Sequence, residues 1–160
     1  GLLAAIAVPK FTKTIEVAKS DEAYALAQLV YGANRMYVIN NCASTLGCYC
    51  TGAIEANSTT PACGGSNLVT LNFVQNLNAP ERPYSYCAAD NATATNRAAL
   101  VKRRTTGAQA APAGSIYLNW GYAINSSGVT CAYGTNVPLP SGVVCCSGSW
   151  PACTAAPACP

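Results

Sequence analysis

Histidine is absent from the 160 residues, only six are acidic, and charged side chains of either sign make up 9% of the chain. Without imidazole there is no Ser-His-Asp triad, no Cys-His dyad and no His-ligated metal. Cys-x-x-Cys is also missing, which removes the usual close ligand spacing of a structural zinc site. The carboxylates Glu16, Asp21, Glu22, Glu55, Glu81 and Asp90 adjoin only at Asp21-Glu22, and helical neighbours i and i+1 do not face each other. No glycine-rich phosphate-binding motif opens a helix. These absences predict that the protein is not an enzyme and has no cofactor and no metal. Nucleic acid is not expected as a partner either. The one basic cluster, Lys102-Arg103-Arg104, has no interleaved aromatics and reads as a solvated loop or strand edge.

Large aromatics are scarce, with two Phe and two Trp, so a core of Ala, Val, Leu and Tyr is expected to be shallow and to gain from covalent staples. Long hydrophobic runs are lacking too. Gly1 to Val8 is apolar throughout and is followed by Pro9, but a membrane span needs about 20 residues.

Cysteine, by contrast, is abundant. Cys42, Cys48, Cys50, Cys63, Cys87, Cys131, Cys145, Cys146, Cys153 and Cys159 make ten, an even number that points to an oxidising compartment and to complete disulfide pairing of unspecified connectivity. Cys145 and Cys146 are expected to have different partners, because a bond between adjacent residues strains the backbone.

From Lys10 to about Asn40 the pattern is helical. Leu26, Leu29, Val30, Ala33 and Tyr37 form an apolar stripe predicted to pack on a sheet, with Leu118 and Trp120 or their alternating partners beneath it. Asp21, Gln28 and Arg35 recur every seven residues on the opposite face. Asn40-Asn41 is a plausible stop. A Ser-, Thr-, Gly- and Cys-rich loop then runs to about Asn67. Strands are predicted at Leu68–Phe73, at Tyr84–Cys87 and at Ile116–Ile124. Asn125-Ser126-Ser127-Gly128 turns the last of these back into Val129–Tyr133 as a hairpin. Asn91 to Val101 fits a strand or a helix, and Val143–Cys146 a short final strand. Ser147–Pro160 is a Pro-, Ala- and Cys-rich tail.

The segment Gly1-Leu2-Leu3-Ala4-Ala5-Ile6-Ala7-Val8-Pro9-Lys10-Phe11 resembles the second half of the N-terminal segment of type IV pilins and type II secretion pseudopilins. In that family a Phe-Thr-Leu-Ile-Glu opening and a further apolar run precede the matching glycine. The resemblance implies an α+β pilin fold, with a long N-terminal helix on an antiparallel sheet, a stapled loop and a cysteine-rich tail. Residues 1–40 would be the filament spine and 41–160 a disulfide-rich head. It further implies a homopolymeric extracellular filament of bacterial origin, drawn from an inner-membrane pool by pilus assembly machinery and serving surface attachment or motility. Gly1, Leu2, Leu3, Ile6, Val8, Pro9 and Phe11 would be its assembly residues. Because Pro9 clashes with the carbonyl of Ala5, Leu2–Val8 is expected to depart from a clean helix within the assembled filament. A type II secretion pseudopilin is the alternative inside the family, although Ser147–Pro160 has no carboxylate for the calcium site common there. A non-polymeric, cysteine-rich adhesion module is the alternative outside it.

Overall fold

The computed structural model describes residues 2–41, 50, 52–54, 65–88, 97–146, 148–149 and 152–153. Helix α1, Leu2–Asn41, is one element of 40 residues with Pro9 inside it, about 60 Å long at 1.5 Å per residue. The Thr12 and Thr14 hydroxyls donate to the carbonyls of Val8 and Lys10, both at 3.0 Å. The expected departure from helix at Leu2–Val8 concerns the assembled state. In the single chain the backbone stays helical through Pro9.

The strands are β1 (Gly52–Ala53), β2 (Tyr84–Ala88), β3 (Arg97–Arg103), β4 (Gly121–Asn125), β5 (Thr130–Thr135), β6 (Val144–Cys145), β7 (Gly148–Ser149) and β8 (Ala152–Cys153). Neighbours run β1-β2-β3-β4-β5-β8-β7, all antiparallel, while β6 lies parallel beside β5. The class is therefore α+β, a long helix on a mostly antiparallel sheet. β4 and β5 form the predicted hairpin. The Asn125 side-chain oxygen accepts from the Ser127 and Val129 N–H groups at 3.0 and 2.9 Å, and Gly128 takes φ 84°.

Three sequence expectations need correction. Leu68–Phe73 is not a strand: helix α2, Gly65–Thr70, occupies it. The Phe73 N–H donates to the Leu68 carbonyl at 2.9 Å and the Asn72 N–H to the Val69 carbonyl at 3.0 Å, with Asn72 at φ 59°. That is a left-handed helix stop with Phe73 folded back against Leu68 in the core. A six-residue run that mixes apolar residues with Thr70 and Asn72 is too short for its period to settle strand against helix, and this closure decides it. Ile116–Ile124 is likewise not one strand, since Ile116–Asn119 forms a 3-10 turn and only Gly121 onward joins the sheet. The turn brings Tyr117 edge-on to Trp120, ring centroids 4.9 Å apart, while the indole N–H donates to the Thr135 carbonyl at 2.8 Å.

The third correction concerns the buried face of α1. Of the predicted stripe, Val30 and Ala33 are buried and Leu26 and Tyr37 pack against the core, but Leu29 is 46% exposed, and Ser20, Ala23, Ala27, Asn34 and Val38 complete the inward face. Apolar residues occur on every side of α1, so periodicity alone did not single out one face. Volume does. The sheet presents Tyr84, Tyr86, Trp120 and Tyr122, all buried, and close packing against such large groups requires small ones opposite. Tyr24 meets Tyr122 edge-on at 5.5 Å, and Ile124 joins Val30 in the same core. Trp120 packs with Val17 rather than with the Leu26–Tyr37 stretch.

Asn34 is the polar pin of this interface. It is fully buried, donates to the Ala98 and Cys50 carbonyls at 2.9 and 3.2 Å, and accepts from the Cys50 N–H at 2.8 Å. Asn34→Ala is expected to lower stability by about 2–3 kcal/mol, because three buried backbone groups lose their partner. Chemical denaturation checks this; a loss under about 0.5 kcal/mol would mean that the three groups find other partners.

Candidate functional site

Sequence reasoning placed the assembly residues at the start of α1. Gly1 lies outside the described residues, and Leu2, Leu3 and Ile6 lie on the helical backbone. Val8 is 63% and Phe11 68% exposed, and Pro9 is exposed as well. From Ala7 to Ile15 no residue is buried, and the first one that is buried is Glu16. Residues 2–15 include Lys10 and Lys13 but no acid. Over Ala7–Ile15 the start of α1 is thus a weakly basic rod that exposes Val8, Phe11 and Ile15, and among the described residues its contact with the sheet begins at Glu16.

That junction is an ion pair which the sequence did not announce. Arg103 is 1% exposed and Glu16 3%. The guanidinium donates from Nε to Glu16 Oε2 at 3.0 Å and from Nη2 to Oε1 at 3.1 Å, a two-pronged contact. Its Nη1 donates to the carbonyls of Pro83, at 2.6 Å, and of Gln109. Lys19 adds a donor to Glu16 Oε1 at 2.8 Å. The Tyr84 ring lies 5.5 Å from the guanidinium carbon. The reading of Lys102-Arg103-Arg104 as a solvated run therefore fails at its centre. Alternation supplied the missed signal: Ala99, Val101 and Arg103 share one face of β3, the face that meets α1.

Burial raises the Glu16 pKa, but the bonds from Arg103 and Lys19 outweigh it and hold the carboxyl below its ordinary value near 4.5. Nearby, burial pushes Tyr84 and Tyr86 well above the normal phenol range, and Tyr122 up to about 12. These rings stay neutral at physiological pH and act as packing.

The cysteines divide by where they fall. Cys131 and Cys146 form a disulfide with Cα atoms 4.7 Å apart. It ties β5 to the residue after β6, and the Cys146 N–H also donates to the Ala132 carbonyl at 2.8 Å. Cys50, Cys87 and Cys145 are disulfide-bonded as well. Because Cys146 is joined to Cys131, the adjacent Cys145 is bonded elsewhere. Cys153 lies in β8, whose backbone pairs with Gly134 of β5. Cys42, Cys48, Cys63 and Cys159 lie outside the described residues. Cys87, Leu100, Ala123 and Tyr133 form a second core on the sheet face turned away from α1, with Cys131 and Cys146 against it.

Among the described residues no three His, Cys, Asp or Glu side chains are grouped to hold a metal ion. No helix among them is long and apolar enough to cross a membrane. Comparison with protein-family models, with curated proteins and with solved structures gave no match in any of the three.

Proposed function

We propose that this chain is a non-catalytic structural subunit of an extracellular helical filament of the type IV pilin kind. In this reading, assembly machinery draws subunits from a membrane-held pool and polymerises them through the start of α1, and the filament serves surface attachment or motility. The supporting observation is the exposure of Val8, Phe11 and Ile15 at the start of α1, on a helix that emerges from a bonded junction at Glu16–Arg103. An apolar rod of this kind is stable only when other apolar surface covers it. Identical subunits meeting head to tail without ring closure form a helical fibre. The disulfide-bonded sheet beyond the junction suits a polymer exposed to proteases, because cross-links suppress local opening.

Electron microscopy with antibody labelling of cells that produce the chain should show labelled filaments. Phe11→Asp should abolish them, since it places a charge where apolar packing is required. The unfolding midpoint of the secreted domain should barely move, because Phe11 touches little of it. Labelled filaments of normal length from Phe11→Asp, or no filaments from the wild-type chain, would overturn the reading.

A further inference from the structure

The face of α1 turned away from the sheet has an order of its own. Stepping alternately three and four residues from Val8 to Ile39, every position is exposed apart from half-buried Gly32. All are apolar or glycine except Glu22. This is the spacing of a two-helix seam, and it runs nearly opposite the buried line from Ser20 to Val38. Leu29, Met36 and Ile39 are 46%, 56% and 69% exposed, so no described residue encloses them. Beside Leu29 lies an open groove of mixed character, walled by Val69, Phe73 and Val74 together with Asn72 and Gln75.

We propose that this face joins a second copy of the chain as an antiparallel, two-fold symmetric helix pair spanning Ile15–Ile39. The register follows from side-chain size and charge. Antiparallel helices set Ile15 against Ile39 of the second copy, Ala18 against Met36, Glu22 against Gly32, and Ala25 against Leu29. Inside the end layers, each large side chain or carboxylate thus meets a small residue. Gly32 has nothing within 4 Å of where a Cβ would stand, which leaves room for Glu22 to keep its 3.1 Å ion pair with Arg82.

In this register the flanking positions bring Asp21 of each copy beside Arg35 of the other. Both residues are exposed, so symmetry yields two opposite-charge contacts. Sliding by one heptad either way sets Asp21 or Arg35 against Gln28 and loses both. A parallel pair in register would stack Glu22 on Glu22 and leave Asp21 beside Leu26. Lys19, the other nearby cation, is already held by Glu16 at 2.8 Å. Val8 and Phe11 fall outside the paired stretch, because no described helix residue beyond Asn41 faces them. The pairing therefore stands or falls separately from the filament.

The test is sedimentation of the folded, disulfide-intact chain, with charge exchange across the seam. Wild type is expected to have the mass of two chains at low salt and to dissociate as salt rises. Asp21→Arg and Arg35→Asp should each raise the dimer dissociation constant roughly tenfold or more, since each turns two attractive contacts repulsive. The double variant D21R/R35D restores opposite charges and should return it to within about threefold of wild type. Phe11→Asp should leave the dimer unchanged. A photo-crosslinker in place of Ile39 should join the region of Ile15 in the second copy. A monomer at every concentration reached, a larger assembly, insensitivity to the single exchanges, no recovery in the double variant, loss of the dimer in Phe11→Asp, or a 39-to-39 cross-link would each overturn the proposal.

Discussion

Glu16→Ala is expected to destabilise the fold by about 3–5 kcal/mol, although it removes one side chain from the rim of the domain. The loss comes from what remains. Arg103 is 1% exposed and cannot shed its charge, so without Glu16 a buried cation keeps the Tyr84 ring and, as hydrogen-bond acceptors, the Pro83 and Gln109 carbonyls. Arg103→Met in the Glu16→Ala background should recover much of the stability, because an apolar pair in such a place often does as well as an ionic one. Recovery should fall short of complete, since Met gives those two carbonyls no donor.

Acid should reproduce part of this effect. The folded-state pKa of Glu16 is held below its ordinary value near 4.5, so its contribution is fully present above that value and is lost as pH falls through the folded pKa. Denaturant titrations at descending pH should therefore show wild type losing stability below about pH 4.5. Glu16→Ala should lack this part of the slope. A Glu16→Ala loss below about 1 kcal/mol, or an acid slope identical in both proteins, would contradict the assignment of the pair as the bolt between α1 and the sheet.

Gly121→Ala should cost roughly 3 kcal/mol or more, towards the upper end of overpacking effects. Gly121 opens β4 opposite Lys102 of β3 and Tyr133 of β5. A Cβ there would drive into the Val101 carbonyl and the Tyr133 ring, which are already joined by the bond from the Tyr133 hydroxyl to that carbonyl. The carbonyl belongs to a paired strand and cannot swing aside, so either the Tyr133 ring or the β3–β4 register must give. Shortening the tyrosine alone should not rescue the variant: Gly121→Ala/Tyr133→Phe should stay as unstable as Gly121→Ala, because the carbonyl remains. Thermal unfolding of the two variants beside wild type checks this, and a Gly121→Ala protein within about 1 kcal/mol of wild type would count against the tight contact.

A single long helix and the β4–β5 hairpin could be read directly from the chain. Each depends on local chemistry: a proline-poor stretch of helical period, and turn residues between two alternating runs. The missing histidines likewise excluded whole classes of chemistry before any fold was known. What escaped the sequence depends on residues far apart. Arg103 looked like one member of a solvated basic run until β3 turned it inward onto Glu16, 87 positions earlier. Leu29 looked like core until the tyrosines of the sheet claimed the small-residue face of α1 and left Leu29 outside. Leu68–Phe73 satisfied the period of a strand until the Leu68 carbonyl closed a helix end. A one-dimensional pattern states which side chains want burial. Only the tertiary structure, through volume and opposite charge, decided which of them found a partner within the chain and which stayed exposed among the described residues.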